Sequence, residues 1–263
     1  MPFPERSRIL YKKNPLDQVV CQLRFPPLLK IDAEVPAQFQ EKIRKAYPNF
    51  RESAEVKFEI PTELLGQIPP ELFNQSIQSP FKNYEFASED NVWKINLTRT
   101  FIALTTKKYE RWEGFKEQLV IPLKALTEIY RPDYFTRIGL RYIDIIKRSE
   151  LGLSDVDWNE LLQPFILGLV SSPDVGKFVE KFESRYEIKL SDNESFARIL
   201  TSFVEAKNNG EVGFVIDSDF YNTNKTSIDD ALKKLDFFNS RGSRLIQWCI
   251  TERLHKAMEP VAL

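Results

Sequence analysis

Apolar residues in this sequence switch repeatedly between a spacing of two and a spacing of three to four, and that switch constrains the fold more than any other feature. From Arg137 to Tyr142 the chain alternates, with Ile138, Leu140 and Tyr142 on one side of an extended backbone and Arg137, Gly139 and Arg141 on the other. That is the pattern of a half-buried strand. Just upstream, Trp112, Phe115, Leu119, Leu123 and Leu126 recur at helical steps, which gives one apolar stripe that must lie against a sheet. Strands come in runs with helices inserted between them, and short βαβ units are scarce. The sequence therefore predicts an α+β protein of mainly antiparallel sheet with amphipathic helices on one face.

Prolines divide the chain into these runs. Val19 to Phe25 reads as a strand stopped by Pro26-Pro27, and Phe39, Ile43 and Tyr47 form a helical stripe between Pro36 and Pro48. Val56 to Ile60 alternates as a strand. From Pro61 to Asp90 the pattern dissolves into prolines, amides and isolated aromatics, which predicts a long irregular excursion, a natural place for a partner contact. Val92 to Leu97, Phe101 to Thr106 and Tyr134 to Ile146 then read as strands.

In the second half Leu161, Leu162, Phe165, Ile166 and Leu169 predict one helix, and Tyr186 to Leu190, Phe196 to Val204 and Val212 to Phe220 an antiparallel meander. Ser227 and Asp230 resemble a capping box at the start of a helix with the stripe Ile228, Leu232, Leu235 and Phe238. Gly242 reads as its C′ residue, and a last helix runs from about Ser243 to Pro260. Two packed lobes are expected, 1–148 and 149–263, the second ending in two helices.

The apolar fraction of 42%, with 20 Phe, 9 Tyr and 4 Trp, is ample for a buried core. The 37 Lys and Arg against 38 Asp and Glu leave a net charge of −1, without the basic excess of a dedicated nucleic-acid binder. Cys21 and Cys249 lie far apart, each among apolar neighbours, and read as buried thiols of a reducing compartment. The opening MPFPERSRILYKK has no apolar run of signal-peptide length, and no stretch has the length of a membrane span. The expectation is a cytoplasmic protein.

Candidate chemistry is sparse. His255, the single histidine, stands near the C-terminal end of the last helix, where helix-dipole capping explains it as well as catalysis does. Cys249 lies six residues earlier, on another face of a helix, so a Cys-His dyad is not expected. Asp217 and Asp219 project to one face of a strand, with Asp229 and Asp230 downstream, and such carboxylates suit Mg²⁺. Strand-end and helix first-turn positions explain the same acids without a metal. Arg137 and Arg141, with Arg99 on a neighbouring strand, present guanidinium groups suited to a phosphate or carboxylate, against the alternative of ion pairs with adjacent strands. The sequence lacks the Walker, dinucleotide-glycine, Cys-x-x-Cys, His-Glu-x-x-His and Gly-x-Ser-x-Gly motifs. No catalytic residue and no cofactor are assigned.

The phrases NPLDQVVCQLRFPP (Asn14 to Pro27), YERWEGF (Tyr109 to Phe115), YFTRIGLRYIDIIKRSELGL (Tyr134 to Leu153), the W-x-x-L-L-x-P run from Trp158 to Pro164, FVIDSDF (Phe214 to Phe220) and WCITERLHKAMEP (Trp248 to Pro260) resemble an uncharacterised, sporadically distributed bacterial family of about this length. The resemblance runs end to end. It implies one fold over the whole chain, a bacterial cytoplasmic setting and, by its patchy occurrence, an accessory or antiviral defence module. It transfers no catalytic residue. The reading favoured is a non-enzymatic binding or adaptor protein with a protein partner or a second copy of itself. Its rivals are a metal-assisted phosphoester or nucleotide enzyme, with Mg²⁺ on Asp217 and Asp219 and phosphate on Arg137 and Arg141, and a nucleic-acid-binding accessory protein.

Overall fold

The period-two runs become strands and the helical runs helices. In the computed structural model, which describes residues 2–53, 82–206 and 209–262, the chain runs β1 (Ile9–Tyr11), β2 (Leu16–Arg24), α1 (Leu29–Ala33), α2 (Ala37–Ile43), β3 (Asn49–Ser53), β4 (Asn83–Ala87), β5 (Trp93–Thr98), β6 (Phe101–Thr106), α3 (Trp112–Ile129) and β7 (Arg137–Ile146). It continues with α4 (Trp158–Leu161), α5 (Pro164–Leu167), β8 (Glu183–Lys189), β9 (Phe196–Glu205), β10 (Val212–Asn222), α6 (Ile228–Cys249), α7 (Glu252–Ala257) and β11 (Pro260–Ala262). The protein is α+β, with a nine-stranded sheet in the order β3-β4-β5-β6-β2-β7-β10-β9-β8 and a separate β1-β11 pair. The chain divides into two units, 18–141 with 221–236 and 1–17 with 142–220 and 237–263.

In the first of these units, β3, β4, β5, β6 and β2 pair antiparallel in series. The register gives the two sheet faces opposite characters. One cross-strand row reads Phe86, Ile95, Leu104, Cys21 and the next Tyr84, Leu97, Ile102, Leu23, all buried. The α3 stripe of Trp112, Phe115, Leu119, Leu123 and Leu126 is buried with them, Phe115 lying 5.6 Å from Trp93 between ring centroids. Phe39 of α2 sits 5.3 Å from Phe86, and the Tyr47 hydroxyl donates to the Gln118 side chain at 3.0 Å. On the other face the row reads Arg51, Glu85, Asn96, Ala103, Gln22. Alternation along each strand thus separates an apolar face from a polar one, as period two requires.

In the other unit the hairpin β8-β9 stands beside an aromatic cluster in which Phe214 lies 5.7 Å from Trp158, 5.8 Å from Phe182 and 5.9 Å from Phe203. The Arg148 guanidinium covers Trp158 at 4.7 Å. Thr251 caps α7, its hydroxyl accepting from Leu254 N while donating to Glu160 O at 2.6 Å, and Ile9 pairs with Ala262 across the β1-β11 ladder.

Several expectations are corrected. The helix predicted from the Asp157-Trp158 entry to near Ser171 is broken into short turns, because Pro164 holds Gln163 extended, at ψ 144°, and restarts the helix at its own first position. Gly242 is not a helix terminus: α6 continues unbroken to Cys249. A Cβ on Gly242 would lie 2.7 Å from Tyr142 Cε2, so the glycine is there for close approach of helix and strand. The last helix accordingly begins at Glu252. Within the expected irregular stretch, 83–87 form β4, and 61–81, like the strand expected at 56–60, lie outside the described residues. Ser227 caps the start of α6 as expected, its Oγ accepting from Asp230 N at 3.1 Å and donating to the Asp230 carboxylate at 2.7 Å.

Candidate functional site

Strand β2 places Gln22 and Arg24 on the polar side of its sheet, two residues apart. Gln22 is buried, and its Oε1 accepts from Arg24 Nε at 3.0 Å and from Arg137 Nη1 at 3.4 Å. Two guanidinium groups on different strands therefore converge on one amide oxygen. Arg137 lies over the Tyr221 ring at 5.1 Å from its centroid, a cation-π geometry that holds the planar group in place. The alternation in the sequence has a second meaning here: a Cβ at Gly139 would fall 2.3 Å from Arg137 Nη1, so glycine clears the floor along which Arg137 lies. Arg24 and Arg137 are half-buried, which strengthens their field relative to fully solvated groups. That field reaches Cys21 through the strand: burial pushes the thiol well above its ordinary range, and the Arg137 charge partly opposes the shift.

The predicted ligand-binding arginines separate. Arg137 joins this cluster. Arg141 shares its strand face four residues along. Arg99 instead sits in the β5-β6 turn, where its carbonyl accepts from Leu28 N at 2.8 Å and its guanidinium lies 3.4 Å from Asp32 of α1, the ion-pair alternative that its sequence context allowed. Sequence reasoning passed over Gln22 and Arg24, although their alternation within VVCQLR was a usable signal.

Asp217 and Asp219 belong to the other unit, both buried, on one face of β10. Asp144 of β7 is buried as well, and its carboxyl is pushed up to about 7, first by loss of water and then by the charge of Asp217. Among the described residues no three His, Cys, Asp or Glu side chains gather as a possible metal-ligand set. His255 shares a 2.9 Å hydrogen bond through Nδ1 with the Tyr11 hydroxyl. Burial, and then the charge of Asp144, raises the Cys249 thiol far above its ordinary range, and both cysteines are free and buried. No described helix is long and apolar enough to cross a membrane.

What the Arg24-Gln22-Arg137 arrangement can do follows from its chemistry. Guanidinium groups stay protonated at any physiological pH and offer forked donors, so they bind and orient oxyanions rather than exchange protons. No protein-family model matches the chain, and no curated protein matches its sequence.

Proposed function

We propose that the protein is a binding protein that engages a partner protein through an anionic group, a carboxylate or a phosphate, held at Arg24 and Arg137. The observation that carries this reading is the convergence of two half-buried guanidinium groups on the amide oxygen of buried Gln22. Forked guanidinium donors held together on a polar sheet face match the several acceptor oxygens of an oxyanion. Glycine at 139 leaves room for the Arg137 fork and the Tyr221 ring orients it, which lowers the entropy lost on binding.

A thermal-shift panel of citrate, inorganic phosphate and an acidic hexapeptide tests the reading. At least one is expected to raise the melting temperature at millimolar concentration, as any ligand of the native state must. Arg137→Gln and Arg24→Gln are each expected to remove that response. A panel that leaves the wild type unmoved, or a response that survives both substitutions, would overturn the proposal. Stabilisation that requires Mg²⁺ or Mn²⁺ with a nucleotide and disappears in Asp217→Asn would instead favour metal-assisted chemistry.

A further inference from the structure

We propose that Arg241 and Arg244 form a second anion site, specific for a phosphate group, in the unit made of 1–17, 142–220 and 237–263. The site is independent of the Arg24-Arg137 cluster. Arg241 projects from the middle of α6 and is 7% exposed. Its guanidinium stacks on Phe237 at 4.5 Å from the ring centroid, and its Nη2 reaches Ser191 Oγ in the β8-β9 turn at 3.4 Å. Nε and Nη1 are buried and have no hydrogen-bond partner among the described residues. Buried donors are almost always bonded in native proteins, so an orphaned pair on one guanidinium points to an absent acceptor.

Arg244, one helical turn along, adds a second positive charge. Its side chain is 19% exposed, and Nη1 lies 3.5 Å from the Glu5 carboxylate without the alignment of a hydrogen bond. Burial and then the Arg244 charge both push the Arg241 guanidinium below its ordinary range, while Glu5 and Asp192 oppose them. Asp192 uses its carboxylate within its own turn, accepting from Glu194 N, Ser195 N and Ser195 Oγ. Glu5 is 72% exposed, a weak counterion for a buried guanidinium.

The donor set selects the ligand. Two guanidinium groups and the Ser191 hydroxyl approach from two elements, which suits the several acceptor oxygens and double charge of a phosphate better than a planar carboxylate. Glu5 stands where such a ligand would meet Arg244, so it competes with the ligand. The segment that carries it is tied to α6 by Gln247 Nε2 donating to Ser7 O at 3.2 Å and by Phe3 lying 5.7 Å from Trp248.

Isothermal titration of the full chain at low ionic strength, with inorganic phosphate and with AMP as probes, tests the site. Saturable binding to the wild type is expected, with Arg241→Gln weakening it at least about tenfold. Glu5→Gln is expected to tighten it by removing the competing carboxylate. Arg137→Gln should leave it unchanged, which separates this site from the one proposed above. Tighter binding of AMP than of phosphate assigns a phosphorylated small molecule, and the reverse assigns free phosphate. If Arg241→Gln does not fold, the partly exposed Arg244→Gln takes its place. Absence of saturable binding, undiminished affinity in the arginine variant that folds, or equal loss in Arg137→Gln overturns the proposal.

Discussion

Gly242 and Tyr142 are in close contact: a Cβ on the glycine would fall 2.7 Å from Tyr142 Cε2. The ring cannot easily move aside, because its hydroxyl donates to Asn239 at 3.0 Å and its edge meets Phe220 at 6.4 Å between centroids. Gly242→Ala gains about 1 kcal/mol of intrinsic helix preference but must displace a packed ring, which costs about 1 to 3 kcal/mol. The expected outcome is a lower melting temperature. A rise in thermal denaturation would show that the ring yields freely.

Asp144 makes stability depend on pH. An unfolded aspartate titrates near about 3.9, whereas burial and Asp217 push the folded group up to about 7. Between these values the folded state keeps a proton that the unfolded chain has lost, so stability falls as pH rises through this window and levels off above it. The loss reaches up to roughly 4 kcal/mol, at about 1.4 kcal/mol per pH unit. Urea denaturation at pH 5 and pH 8 should show it in the wild type and a smaller dependence in Asp144→Asn. Equal pH dependence in the two proteins would rule this account out.

Cys21 and Cys249 are both completely shielded, and burial raises both thiols far above the range in which thiolate forms at neutral pH. Neither is expected to react with an aromatic disulfide reagent in the native protein, and both should react at once in denaturant. Rapid labelling of one thiol under native conditions would contradict the packing described.

The Asp236 carboxylate accepts from Trp112 Nε1 at 2.7 Å and from Lys116 Nζ at 2.8 Å, joining α3 to the first half of α6. Trp112 is 5% exposed, so Asp236→Ala leaves a buried indole donor unbonded and should cost about 1 to 3 kcal/mol. Asp236→Asn keeps an acceptor and should cost less. Chemical denaturation of the two variants distinguishes lost hydrogen bonding from lost charge, and equal losses would assign the effect to charge.

Much of the architecture was legible because periodicity is a local consequence of backbone geometry. The alternation at Arg137 to Tyr142 could form only a two-faced strand, and the stripe from Trp112 to Leu126 only a helix with one buried side. The Ser227 cap was readable for the same reason, since its bonding partner lies three residues away. Gly242 was misread because a glycine that ends a helix and a glycine that lets a strand approach are identical in sequence. The unit boundaries, which interleave distant segments, have no local signature.

The sites divide in the same way. Sequence alone put Arg137 and Arg141 on one strand face and Asp217 and Asp219 on another, because those relations are set by alternation. Only the tertiary structure brought Gln22 and Arg24 to Arg137, sent Arg99 to Asp32, set Asp144 against Asp217, and carried Arg241 to the Ser191 turn. Each of these joins residues far apart in the chain, and the energy of a charge depends on which neighbours and how much water surround it. Residue order fixes neither until the chain has folded.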